Sequence, residues 1–411
     1  MRTKLPQRGS DWSDLEGRMR GYAAGDVDWR HGRAAVYVFH AGDDVLQVAR
    51  DAYALFQSEN ALGPLAFPSL ERMEEEVVGM GLDLLHAPEG ACGDLTSGGT
   101  ESIFLAVKTC RDAARAAGSG ADELLLPRSA HPAFDKAAHA LGLRTVRVPV
   151  APDLRADVDA MARAANARTL MLVGSAPCFP YGLIDPIEAL SELAQERGVW
   201  LHVDACVGGY FAPFARMNGV ALPEFDFALP GVRSMSADLH KYGYAAKGAS
   251  TVFHRDAAQR EFQIFRFDDW PSGGMTTPTA AGTRPGGAIA SAWAVMHYLG
   301  VEGYRAKAKA VCETRAKIAR GVEALGLRVH GAPQLGLLCY GADDADIFAV
   351  WGRLARRGWM TALTTEPRGI HLMLSPAHAE VADQYLADVA AALAEVRASG
   401  ESGREVRARY A

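Results

Sequence analysis

Apolar residues recur at helical spacing in two early segments of the chain. In DDVLQVARDAYALFQ, Val45, Val48, Ala49, Ala52, Leu55 and Phe56 form one stripe, with Asp43 or Asp44 as the expected cap. In FPSLERMEEEVVGM, Leu70, Met73, Val77 and Met80 repeat the pattern, with Ser69 as the expected cap and acidic residues early, where the helix dipole favours them. The connection SENALGPLAFP carries Pro64 and Pro68 and predicts an ordered loop. A polar arm precedes the first helix and is expected to pack against something larger.

From Thr96 to about Ser250 the pattern alternates. Helical stretches after TSGGTES, at 132–141, near 157–165 and at 186–197 separate the short apolar runs ELLLP, TVRVPV, TLMLVG and VWLHVDA. Continuous apolar runs between amphipathic segments predict strands covered on both faces, joined by crossover helices into a mostly parallel sheet. Ligands in such sheets gather beyond the carboxyl ends of strands, where TSGG, SAP and HVDAC fall.

After about Gly287 the pattern changes to long Ala-rich helices, then LGLLCYG, a helix through ADIFAVWGRLARR, the runs WMTALTT and IHLMLS, and a last helix over 379–396. This predicts a smaller α+β domain, followed by a charged tail of little structure after Ser399. The expected division is an arm and helix at 1–56, a large domain at 57–295 and a small domain at 296–411.

With 411 residues, 49% of them hydrophobic, the chain can bury a large core. A net charge of −6 and the lack of a long basic run give no support to a nucleic-acid surface. No apolar segment near the N-terminus reads as a signal core or a membrane span. Six scattered cysteines show neither CxxC nor zinc spacing, which reads as reduced thiols in a cytoplasmic protein. No metal site is expected, and His371 and His378 read as a surface pair in the small domain.

Three segments carry chemistry. TSGGTES places Gly98, Gly99 and Thr100 just before a helix, where glycines permit close backbone approach and free N–H groups can hold a phosphate. It is neither a Walker loop nor GxGxxG, so nucleotides are disfavoured. VWLHVDACVGGY ends an apolar strand on Asp204, a carboxylate that needs a partner such as a protonated ring nitrogen. SADLHKYGYAAKG offers Lys241, whose amine can form an imine with an aldehyde if the pocket favours its neutral form during exchange, with His240 beside it. His131, before a proline-started helix, can stack on a flat ring or carry a proton. An anion cup, a strand-end acid and an imine-forming amine are three demands of pyridoxal phosphate.

TSGGTES, HPAFDKAA, IDPI, LHVDACVGGY, SADLHKYGYAAKG and GTRPGG together resemble the sphingosine-1-phosphate lyase branch of the group II pyridoxal-phosphate-dependent decarboxylase family, from about Ala34 through Pro376. The resemblance implies a fold-type-I subunit: an α/β aminotransferase-like large domain with a mostly parallel sheet, and a smaller α+β C-terminal domain, in a homodimer. It implies that Lys241 bears pyridoxal 5'-phosphate, Asp204 meets the pyridine nitrogen and His131 stacks on the ring. Gly99, Thr100 and His240 would hold the phosphate, with Thr277 reaching it from the other subunit. Tyr37, Asn60 and Lys247 match residues near the substrate.

Where the family reads NPLHPD this chain reads NALGPL, so Gly63 replaces a histidine expected near the substrate phosphate. Where it reads PNYP this chain reads PCFP, so Phe179 lacks a hydroxyl, and SGGMTTPT is one residue short and lacks a tyrosine. The implied reaction is retro-aldol cleavage of a β-hydroxy amine, with Lys247, Tyr37 and the released Lys241 amine as proton carriers. The rival reactions are α-decarboxylation of an amino acid, which uses the same electron sink, and a non-catalytic role as a cofactor binder.

Overall fold

The computed structural model describes residues 2–400, 402 and 403; the expected unstructured tail falls largely outside them. The arm carries α1 (Trp12–Tyr22), none of whose residues is buried. Then come α2 (Asp43–Leu55) and α3 (Pro68–Leu84), as their periodicity predicts. Their caps differ from expectation. Gly42 occupies the N-cap of α2, with Asp43 and Asp44 already in its first turn, and Phe67 precedes α3 with Pro68 at its start. Proline suits the first helical position because its missing N–H would have no partner there.

The alternating region builds β1 (Cys92–Thr96), α4 (Gly99–Ala116), β2 (Glu123–Pro127), α5 (Ala133–Leu141), β3 (Arg144–Val148), α6 (Val158–Ala164), β4 (Thr169–Ser175), α7 (Ile187–Arg197), β5 (Trp200–Asp204), α8 (Ala212–Met217), β6 (Val232–Ala237) and β7 (Ser250–His254). The strands form one sheet ordered β1-β7-β6-β5-β4-β2-β3. The pairs from β6 to β3 are parallel; β7 runs antiparallel to both β6 and β1. Every residue of β2, β4, β5 and β7 is buried, as continuous apolar runs require.

In register, Ser175 pairs with Asp204 and Asp204 with Ser236. Since β1 and β6 run the same way, the carboxyl ends of β1, β4, β5 and β6 gather at one edge. That edge is where an open sheet of this kind places its site.

After the short α9 (Ala257–Arg260), an exposed hairpin of β8 (Phe265–Phe267) and β9 (Met275–Thr277) leads to α10 (Gly286–Ala324). This span is the two expected helices joined at a kink: Gly300, whose φ of 53° leaves the helical region, separates them. The small sheet, ordered β10 (Arg328–Val329), β11 (Leu337–Gly341), β13 (Arg368–Met373) and β12 (Ala362–Thr365), is antiparallel and packs with α11 (Ile347–Arg356) and α12 (Ala382–Ser399).

His371 and His378 are not a surface pair. Both are buried. His371 Nδ1 bonds the Pro180 carbonyl at 3.1 Å, and His378 closes a capping box with Ser375 and reaches the Ala34 carbonyl. Their roles are structural, and among the described residues no group of histidine, cysteine or acidic side chains could hold a metal ion.

Candidate active site

At the carboxyl edge of the large sheet lies a cavity of about 320 Å³ whose walls include Gly99, Thr100, His131, Phe179, Asp204, His240 and Lys241. Residues up to 142 positions apart in sequence are therefore brought together by four strand ends and two helix starts. The amino end of α4 faces it, and the first amides of a helix lack partners within the helix. Gly99 fits only because it has no side chain: a Cβ there would meet Cys206 Sγ at 2.7 Å and the Asp238 oxygens at 2.8 and 2.9 Å.

Asp204 is buried at the tip of β5, its Oδ1 accepting from the Cys206 N–H at 3.0 Å and the Ser236 hydroxyl at 3.4 Å. His131 sits at the start of α5, its Nδ1 accepting from the Ala133 N–H at 3.1 Å. Burial holds its pKa below the ordinary value, against the pull of the Asp204 charge. Lys241 is an ion-paired ammonium, with Nζ 2.8 Å from Asp238 Oδ2. Burial is the largest single influence and would lower its pKa, but the Asp238 charge and hydrogen bond together with Cys206 and Asp204 outweigh it and the pKa is raised. Here the amine therefore favours its charged form.

The second lysine has the opposite preference. Lys247 Nζ donates to the carbonyls of Tyr37 at 3.1 Å and His240 at 3.2 Å. Loss of solvation, then the nearby Lys241 charge, lower its pKa to about 8. Lys247 lines a neighbouring cavity of about 440 Å³ that shares His240 with the first.

The remaining sequence candidates lie outside the walls of the 320 Å³ cavity. Tyr37 is half exposed, with φ of 65°, and meets Lys247 through its main chain. Asn60 forms an isolated bridge to Pro285 and its Oδ1 accepts from the Leu62 N–H. Gly63 lies in the loop before α3, and Thr277 ends β9.

Two residues to which the motifs assign no role also shape the site. Asp238 follows β6 as directly as Asp204 ends β5, and that parallel was the available signal. Glu101 binds Ser97 through one oxygen and the Ala280 and Ala281 N–H groups through the other, tying the phosphate-cup turn to the segment after β9.

The model of the pyridoxal-dependent decarboxylase conserved domain matches residues 1–341. The chain belongs to this family. Within it the chain falls in the sphingosine-1-phosphate lyase branch. It is 40% identical over 409 residues to sphingosine-1-phosphate lyase of Oryza sativa subsp. japonica, covering 97% of this chain and 76% of that protein. The solved structure of a Burkholderia pseudomallei sphingosine-1-phosphate lyase superposes with a TM-score of 0.93 at 39% identity, covering 97% of this chain and 94% of the other. A probable L-tyrosine/L-aspartate decarboxylase of Methanothermobacter thermautotrophicus is 33% identical over 329 residues, 80% of this chain and 89% of that protein. The fold is the fold-type-I architecture that the motifs imply, and the family makes the protein a pyridoxal-phosphate-dependent enzyme.

The cavity suits that cofactor on its own evidence. The buried Nδ1 of His240 has no hydrogen-bond partner among the described residues, beside a helix terminus able to bind an anion. A buried acid stands at Asp204 for a ring nitrogen, and an amine lies within the same walls.

Proposed function

We propose that this member of the decarboxylase family is a carbon–carbon lyase that cleaves a β-hydroxy amine of the sphingoid-base phosphate type to an aldehyde and an aminoethyl phosphate product. Lys247 carries this reading. Retro-aldol cleavage needs a base for the substrate hydroxyl, whereas decarboxylation does not. In its neutral form Lys247 has two N–H bonds to spend on the Tyr37 and His240 carbonyls, which leaves its lone pair free to accept a proton.

Lys241 would bear pyridoxal 5'-phosphate, with Gly99, Thr100 and His240 at its phosphate, Asp204 at its ring nitrogen and His131 on its face, and the bound cofactor supplies the sink for the electrons of the broken bond. Asp204, buried and held by two donors, presents its carboxylate to the cavity. His131 is held by the Ala133 N–H, which fixes the plane of its ring. Phe179, Ile103 and Val207 supply the apolar part of the cavity wall.

The test is product analysis with sphingosine 1-phosphate. A long-chain aldehyde formed together with a phosphorylated amine is expected. Carbon dioxide released from amino acids, without aldehyde, would overturn the proposal in favour of α-decarboxylation, the reading that likeness to the archaeal decarboxylase favours.

The working unit we propose is a homodimer. Trp12, Met19 and Tyr22 on the arm and Phe265, Phe267 and Trp270 around the hairpin are large exposed apolar side chains, which a second subunit would cover. Tyr37, Asn60, Gly63 and Thr277 would then serve a shared site. The domain limits 1–56, 57–295 and 296–411 are part of the same reading, and the break at Gly300 falls close to the second of them. Among the described residues no helix is long and apolar enough to cross a membrane. Six free cysteines support a reducing, cytoplasmic location.

A further inference from the structure

Asp238 stands on the floor of the cavity with its carboxylate 3% exposed. Its Oδ1 accepts from the Ser250 hydroxyl at 2.5 Å, and Ser250 is joined through Ser102 Oγ at 2.9 Å to Thr96 Oγ1 at 2.6 Å. This chain of hydroxyls fixes the carboxylate from behind. Its Oδ2 faces two bases at once, Lys241 Nζ at 2.8 Å and His240 Nε2 at 3.7 Å.

A buried carboxylate is costly without a cation beside it. Lys241 is that cation in the structure, yet an ammonium has no lone pair with which to attack a carbonyl. Asp204 and Cys206 also favour the charged form of Lys241, and Lys247 and His131 feel its charge. His240 feels Asp238 and both lysines, and burial keeps its pKa low, so it stands neutral beside the pair.

We propose that Asp238 is a positioning residue for Lys241, holding its amine as an ammonium aimed into the cavity until a carbonyl compound enters. The ammonium gives one proton to solvent, the neutral amine's lone pair forms the carbon–nitrogen bond, and the carbonyl π pair moves to oxygen, which takes a proton from that nitrogen. A solvent proton then joins the resulting hydroxyl, which leaves as water while the nitrogen lone pair completes the double bond. Net, one ammonium and one carbonyl give one protonated C=N group and one water, with Asp238 unchanged. The inference rests on Lys241 being the cofactor-bearing residue and is independent of which substrate bond is broken.

The experiment follows covalent attachment rather than turnover. Full-length protein stripped of pyridoxal phosphate is mixed with that compound between pH 6 and 10, reduced with borohydride, and the modified lysine quantified by peptide mass mapping. In the wild type the initial rate should climb about tenfold per pH unit up to pH 10, because the raised pKa of the amine lies above that range. Asp238→Asn should level off about one or more units lower, the size of shift an adjacent opposite charge produces, and Asp238→Glu should restore most of the wild-type profile. Superimposable profiles for the wild type and a folded Asp238→Asn protein would overturn the proposal.

If Asp238→Asn does not fold, cyanate labelling of the wild type serves instead, because titration midpoints do not depend on access. Lys241 should titrate above the ordinary lysine value and Lys247 near 8; equal midpoints would refute the lock on Lys241. None of these measurements involves the lyase substrate, so their failure is distinguishable from an error in the proposed reaction.

Discussion

Lys247 Nζ donates to the main-chain oxygen of Tyr37 at 3.1 Å, across 210 positions of sequence. The bond ties the entry to α2 to the loop that carries both lysines. It also fixes where the second amine points, and the crowding that comes with it brings the pKa of Lys247 down to about 8.

A pH dependence follows from that value. A lysine with a lowered pKa is protonated below it and neutral above it, so the base form grows as pH rises through about 8. The kcat for the lyase substrate should rise across that range and level off above it. Lys247→Arg keeps a charge at every working pH, so the rising limb should vanish and kcat should fall by about 10²-fold or more. A persisting limb in the arginine variant would place the base elsewhere.

Lys241 and Asp204 should separate attachment from chemistry. Lys241→Ala is expected to abolish covalent capture of pyridoxal phosphate, read by mass after borohydride reduction. Asp204→Asn should still capture it but lose about 10²-fold or more in kcat, because the ring nitrogen loses the charge that keeps it protonated. Retained capture in the alanine variant would show that another amine is the attachment point.

Gly99 tests the anion cup. A methyl group at this position would lie within 2.9 Å of three side-chain atoms of Cys206 and Asp238. Gly99→Ala should cost about 1–3 kcal/mol of stability through overpacking and weaken cofactor binding about tenfold or more by pushing the floor of the cup aside. Thermal melting with and without the cofactor distinguishes the two effects: a unchanged gain in melting temperature on loading would mean that the cup tolerates the side chain.

Much of this site was legible because its residues sit at element boundaries. Gly99 opens a helix, Asp204 ends an apolar strand and His131 precedes a proline-started helix, and those positions gather at the carboxyl edge of a parallel sheet whatever the loop details. The role of Asp238 is not legible in the sequence, since its partners, Ser250 on β7 and Ser102 on α4, lie on other elements, and only the antiparallel return of β7 brings them together. The buried state of His371 and His378 was hidden for a similar reason: their acceptors, the carbonyls of Pro180 and Ala34, belong to the large domain and the arm. Helix caps were misjudged where backbone conformation decided. Gly42, at φ of 124°, takes a shape that neither aspartate after it would adopt readily.

The last prediction concerns the substrate phosphate. A Cβ added to Gly63 meets only Ala66 Cβ at 3.9 Å, so a larger side chain has room there. Phe179 lines the cofactor cavity and packs on His371 with ring centroids 4.4 Å apart, which leaves its ring edge without a polar group to offer a dianion. A phosphate stripped of water needs donors or positive charge in exchange, and a hydrogen bond to a charged group contributes about 1.5–3 kcal/mol. Restoring both groups with Gly63→His and Phe179→Tyr should therefore raise kcat/KM for a phosphorylated β-hydroxy amine about tenfold or more relative to its unphosphorylated counterpart. The gain should be larger below pH 6.5, where the new imidazole is charged, than at pH 8, where it is neutral. Measuring both substrates at both pH values checks the cause: an unchanged ratio would mean that the wild-type enzyme already binds the phosphate through other groups, and a pH-independent gain would assign the effect to the tyrosine alone.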